Sequence, residues 1–177
     1  MSTSQLPGRV EPYKLAARRE RLEGLVPLGG LSRLAEEAGP QAGDCRVVLD
    51  FGIDLQGRRQ IQGWLKADLA LACRRCHAPI ERAVESEFLL GMVADESLAG
   101  ELPASHEPVL VENEQLDLLA LVEDELILSL PQVVYHDEAD CLVPAQQLVS
   151  KADDATEEAS APDDNPFAVL RTLKGKQ

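Results

Sequence analysis

From Cys45 to Met92 apolar and polar residues alternate with a period of two, and an amphipathic helix cannot carry that pattern over such a length. Cys45, Val47, Leu49, Phe51 and Ile53 share one parity, opposite Arg46, Asp50 and Asp54. After Gly57, which suits a turn, Ile61, Gly63, Leu65, Ala67, Leu69, Leu71 and Cys73 form the next odd-numbered face, opposite Gln60, Gln62, Lys66 and Asp68. Beyond a second break the parity changes: Ile80, Val84, Phe88, Leu90 and Met92 oppose Glu81, Glu85 and Glu87. Successive strand side chains point to opposite faces, so three consecutive strands each have one face to bury. The expected arrangement is an antiparallel meander with a single apolar face.

Something must cover that face. Leu116 to Leu130 has apolar Leu119, Val122, Leu126 and Leu130 at helical spacing, Asp117, Glu123 and Asp124 on the polar side, and Pro131 as a stop. It predicts one long helix lying across the sheet. Leu31, Leu34, Ala35 and Ala38 predict a shorter, N-terminal helix ended by Gly39-Pro40. Val109 to Val111 is a candidate extra strand, giving three to five in all. The expected fold is α+β.

Three regions follow from these signals. Residues 1–150 form one α+β domain, whose segment Glu11 to Gly24, with Lys14, Arg18, Arg19 and Arg21 against Glu20, reads as a basic arm of uncertain secondary structure. Residues 151–164 carry one Lys against Asp153, Asp154, Glu157, Glu158, Asp163 and Asp164, too little apolar surface to offset the entropy of ordering, and predict a disordered acidic linker. Residues 165–177 switch to an apolar, basic run in which Phe167 and Leu170 are the expected anchors of a docking segment.

The chain has a formal net charge of -14 and only 3% aromatic residues. That field repels phosphate backbones and attracts basic proteins, and so few aromatics argue against a base-stacking platform. Met1 to Val10 lacks the apolar run of a secretory signal, and nothing approaches the roughly 20 apolar residues of a membrane span. The expected compartment is the cytoplasm, where four cysteines stay reduced. No membrane association is expected and, with no phosphate-cradling loop and no paired nucleophile and base, no small-molecule substrate.

The chemistry-bearing residues lie in two local pairs. Cys73-Arg74-Arg75-Cys76 falls at a hairpin tip, and His136 and Cys141 fall in the segment after the long helix. Two residues between cysteines and four between His and Cys suit the ligand spacings of structural zinc. Buried, unliganded thiols and redox chemistry remain as alternatives to a zinc knuckle; the redox motif needs a helix after the second cysteine, and here Ala78-Pro79 and a strand follow. His77 is an alternative fourth ligand, and Cys45, in phase with Val47 and Leu49, reads as core. Arg74 and Arg75, with Arg82, make a basic tip able to meet a phosphate or the chain's own carboxylates. The run Glu123, Asp124 and Glu125 reads as a solvated helix face rather than a cation site.

Four features, in order, resemble the YceD family of large ribosomal RNA subunit accumulation proteins. They are Glu11-Pro12 leading to Arg21-Leu22-Glu23-Gly24, the Cys73–Cys76 knuckle, the run Leu116 to Leu128 with Leu130-Pro131 after it, and Asn165-Pro166-Phe167-Ala168-Val169-Leu170. The resemblance implies a non-catalytic role in synthesis, processing or stability of 23S ribosomal RNA and in large-subunit assembly. It also implies that Cys73, Cys76, His136 and Cys141 act as one set. Partners would be a basic ribosomal protein of the large subunit, the 23S precursor, or both, with the charge favouring the protein. The rival reading is a zinc- or thiol-dependent enzyme using Cys73 and Cys76.

Overall fold

The computed structural model describes residues 4–143. The elements run β1 (Arg9–Val10), α1 (Pro12–Arg18), β2 (Arg21–Pro27), α2 (Ser32–Ala38), β3 (Asp44–Ile53), β4 (Arg59–Ala72), β5 (Pro79–Val93), β6 (Glu107–Leu110), β7 (Leu116–Asp117) and α3 (Leu118–Leu128). The main sheet has the order β2-β3-β4-β5-β6, and β1 pairs with β7 in a separate two-stranded ribbon. The α+β meander expected from the alternation is present as β3, β4 and β5, antiparallel throughout.

The odd-numbered face of β3 and β4 is the core. Val47, Leu49, Ile61, Leu65 and Leu69 are fully buried there, in one cluster with Ala16 of α1, Leu34 of α2 and Leu118, Val122 and Leu126 of α3. All three helices therefore cover the same side. The opposite side carries the even-numbered residues of β4, including exposed Gln62, Lys66 and Asp68. Gly63 is needed where Phe88, its cross-strand partner, folds over it: a Cβ there would lie 2.0 Å from Phe88 Cε2.

Several elements depart from the sequence reading for identifiable reasons. The stretch 11–24 read as a basic arm is folded: Pro12 opens α1, and Arg21 to Pro27 pairs antiparallel with β3. Three of its four cations are taken up at home, Lys14 by Glu11 at 2.6 Å, Arg18 by Glu20 at 3.4 Å and Arg21 by Asp50 at 3.1 Å. The outer edge of β2 is met by Gln5, which bridges Leu25, while Leu25 N–H donates to Ser4 O at 3.1 Å.

β6 exists, but runs parallel to β5, reached by a detour that includes a 3₁₀ turn over Glu96–Glu101. α3 starts at Leu118 rather than Leu116, because Leu116–Asp117 pairs with β1 and Asp117 caps the helix through Leu119 N–H and Ala120 N–H.

The acidic run on α3 is not a solvated face. Glu123 and Glu125 are each only 7% exposed. Glu123 reaches α2, accepting from Arg33 N–H at 2.7 Å and Leu34 N–H at 3.1 Å. Among the described residues no helix is long and apolar enough to cross a membrane. The linker 151–164 and the segment with Phe167 and Leu170 lie outside the described residues.

Candidate metal centre

The β4–β5 hairpin is closed by Cys73 N–H to Ala78 O at 2.9 Å, and inside it His77 N–H donates to Cys73 O at 2.9 Å. That six-residue tip turns because His77 takes a left-handed φ of 60°. Arg75 N–H points at Cys73 Sγ, 3.4 Å away. Such an amide-to-sulfur contact stabilises a thiolate and leaves Cys73 and Cys76 on the same side of the loop.

The second pair arrives because the chain after α3 runs back along the hairpin. Arg74 N–H donates to Val134 O at 2.9 Å, and Arg82 Nη2 to Tyr135 O at 3.1 Å. A turn follows in which Asp140 N–H and Cys141 N–H both donate to Asp137 O. His136 and Cys141 thereby face the knuckle, and the ligand atoms of Cys73, Cys76, His136 and Cys141 all lie within 4.8 Å of one another. A tetrahedral ion with metal–sulfur bonds near 2.3 Å needs donor–donor edges of about 3.8 Å, so this set fits one ion with little movement.

The surroundings suit a metal chemically. Pro79 O can only accept, and it lies 3.2 Å from His136 Nε2, so that nitrogen carries the proton and Nδ1, 3.4 Å from Cys76 Sγ, is left as the donor atom. Burial works against the Cys73 thiolate, but the N–H groups of Cys76, His136 and Arg75 and the His136 ring outweigh it and bring the thiol down to about 5. Hydrogen bonding from Ala78 N–H, against burial, lowers Cys76. The His136 imidazole is raised, chiefly by its contact with Cys73, and Cys141 is raised by burial. Three sulfurs and one nitrogen form a closed, soft donor set of the kind structural zinc takes.

The family model described as "Large ribosomal RNA subunit accumulation protein YceD" matches residues 61–174. A protein of Haemophilus influenzae with that description is 38% identical over 177 residues, covering 99% of this chain and 100% of its own length. The chain belongs to the YceD family. No solved structure matches it.

The YceD match opens at Ile61, two residues into β4, and so takes in the hairpin tip, β5, α3 and both ligand pairs. Of the other residues singled out by sequence, His77 is exposed and outside the cluster, and Cys45 is buried in the core, its thiol pushed up to about 11 by burial. The two arginines part company. Arg74 is exposed, whereas Arg75 turns inward over the Tyr135 ring, 5.5 Å from its centroid, with Nε and Nη1 buried and without a hydrogen-bond partner among the described residues. Nothing in the sequence marks Pro79 as part of the site, and the one local signal for Tyr135 is an aromatic residue directly before the candidate ligand His136.

Proposed function

We propose that this chain is a non-catalytic binding factor that promotes synthesis, processing or stability of 23S ribosomal RNA and assembly of the large ribosomal subunit. The observation that carries the reading is the end-to-end match to a relative named for large ribosomal RNA subunit accumulation. Cys73, Cys76, His136 and Cys141 would hold one structural zinc ion, pinning the post-helix segment to the hairpin tip. Four protein donors leave no open position for a substrate, which supports a cross-link rather than a catalyst.

The partner is a basic ribosomal protein of the large subunit, the 23S precursor, or both, met in the cytoplasm. With 31 acidic against 17 basic residues, electrostatics favours the protein. Exposed Arg74 is the better placed of the two tip arginines for contact; Arg75, Phe167 and Leu170 complete the proposed contact set. In cells lacking the chain, the ratio of 23S to 16S ribosomal RNA should fall and be restored by the wild-type sequence. An unchanged ratio would reject the function. Purification with and without ribonuclease separates the partners: ribosomal proteins that survive the nuclease are held directly.

One observation favours the rival reading, a thiol enzyme, because the Cys73 thiol is low enough to be ionised at neutral pH. Zinc bound at one ion per chain with slow alkylation of Cys73 would reject that reading; metal-free protein alkylated fast at Cys73 would favour it.

A further inference from the structure

The face of the sheet turned away from the helices has an ordered pattern of its own. Cross-strand pairing places Glu23 beside Val48, Val48 beside Trp64 and Trp64 beside Glu87, so one row crosses β2 to β5 as carboxylate, valine, indole, carboxylate. These four residues line a concavity of about 960 Å³. Val48 and Trp64 are half-buried, and the two glutamates are exposed.

In the adjoining rows opposite charges are paired: Arg21 with Asp50 at 3.1 Å and Lys66 with Glu85 at 3.2 Å. Glu85 also accepts from Trp64 Nε1 at 2.9 Å, which fixes the plane of the ring. Glu23 and Glu87 have neither an ion pair nor a side-chain hydrogen bond among the described residues, and nor has Glu107 at the rim. Against these three carboxylates stands, among the described residues lining the concavity, one unpaired guanidinium, that of Arg46. The surface thus offers an oriented indole floor between carboxylates whose charge is not spent inside the molecule.

We propose that this face docks a Lys/Arg-rich segment of a protein partner, with a basic side chain laid on Trp64 between Glu23 and Glu87. An aliphatic stem packs on Val48 and the indole, the cationic head meets the ring's negative face, and the flanking carboxylates complete its coordination. A polyanion finds the reverse: surplus carboxylates on the face and a net charge of -14 behind them. The inference rests on the binding role proposed above and assigns that role a surface and a partner chemistry.

Trp64 is the only tryptophan in the chain, so its emission reports on this face alone. The full chain is titrated with a synthetic peptide of Lys, Arg, Gly and Ala, and separately with a single-stranded RNA oligonucleotide of equal length. The peptide should shift the emission saturably, and more weakly as salt is raised. Followed by a label on the peptide, W64A should weaken binding about tenfold, the scale of one shielded cation–π contact. E23Q/E87Q should weaken it at least threefold, and Glu36→Gln, on exposed α2 surface, should not change it. Peptide binding unaffected by W64A and by E23Q/E87Q, or tighter binding of the oligonucleotide, overturns the proposal. If the peptide fails to bind but the chain still restores the 23S ratio, this surface is removed and the binding role stands. If the peptide binds through Trp64 but the ratio never depended on the chain, the role is removed and the surface stands.

Discussion

Replacing Glu123 with Ala tests whether a carboxylate on one helix caps another. α2 begins after Leu31, whose side chain offers no acceptor, and its second and third N–H groups belong to Arg33 and Leu34. Those are the two amides that a capping side chain normally satisfies. Here both are taken by Glu123 Oε1 from α3, at 2.7 and 3.1 Å, while Oε2 accepts from Arg33 Nε at 3.0 Å. Loss of a cap costs about 1–2 kcal/mol, and Leu34 is fully buried, so water cannot replace the acceptor at its amide without opening the packing. The Arg33 side chain is 47% exposed, so its ion pair adds less than about 1 kcal/mol.

The expected total for E123A is about 2–3 kcal/mol, or a midpoint lower by about 1–2 M in urea unfolding followed by far-ultraviolet circular dichroism. E123Q keeps a carbonyl oxygen for the amides and should cost about 1 kcal/mol. An E123A protein within 0.5 kcal/mol of the wild type, or an E123Q protein as unstable as E123A, would refute the capping argument.

Removing metal from protein purified without added chelator should lower stability by on the order of 4 kcal/mol, the closure entropy of a loop joining ligands 60 residues apart. Metal analysis should give one zinc per chain, lost in C141S and retained in C45A. A thermal midpoint indifferent to chelator would argue against a metal cross-link. Burial, then Glu107 and Asp124, raises the Glu125 carboxyl to about 7 from an ordinary 4.5. The folded state therefore binds the proton more tightly than the unfolded one, and stability should fall as pH rises from about 4.5 to about 7. E125Q should flatten that profile and gain about 1–3 kcal/mol above pH 7, measured by unfolding across the pH range. G63A should cost about 1–3 kcal/mol by forcing Phe88 off its position, and truncating Phe88 to Leu in the same protein should recover part of the loss.

The alternation from Cys45 to Met92 located β3, β4 and β5 to within a few residues, because a sheet with one buried face writes its parity into the chain. β2 was not legible. Arg21 and Glu23 do alternate with Leu22, but Gly24 stands on the inward parity where an apolar side chain is expected and Leu25 on the outward one, so the run is too short to read without its partner β3. The knuckle cysteines announced themselves by spacing, and so, more faintly, did His136 and Cys141. That the pairs converge depends on backbone bonds from Arg74 N–H to Val134 O and from Arg82 to Tyr135 O, which no local pattern encodes. The burial of Glu123 was hidden for a similar reason: its partner Arg33 lies 90 residues away. The arginines of the tip look alike as letters and differ only once Tyr135 is in place beneath one of them.

The wide separation of the two ligand pairs has a consequence for how the molecule is made. Cys73 and Cys76 leave the ribosome as half a site, and His136 follows 60 residues after Cys76, roughly 3–12 s later at ordinary rates of synthesis. Between them the chain must complete β5, β6 and α3. An ion gripped by all four side chains would thus be the last stitch, tied only when everything between has been made and has packed. A chain that ends before Cys141 never receives that stitch. Its hairpin tip would stay untied, and proteases that cleave open states would meet it there.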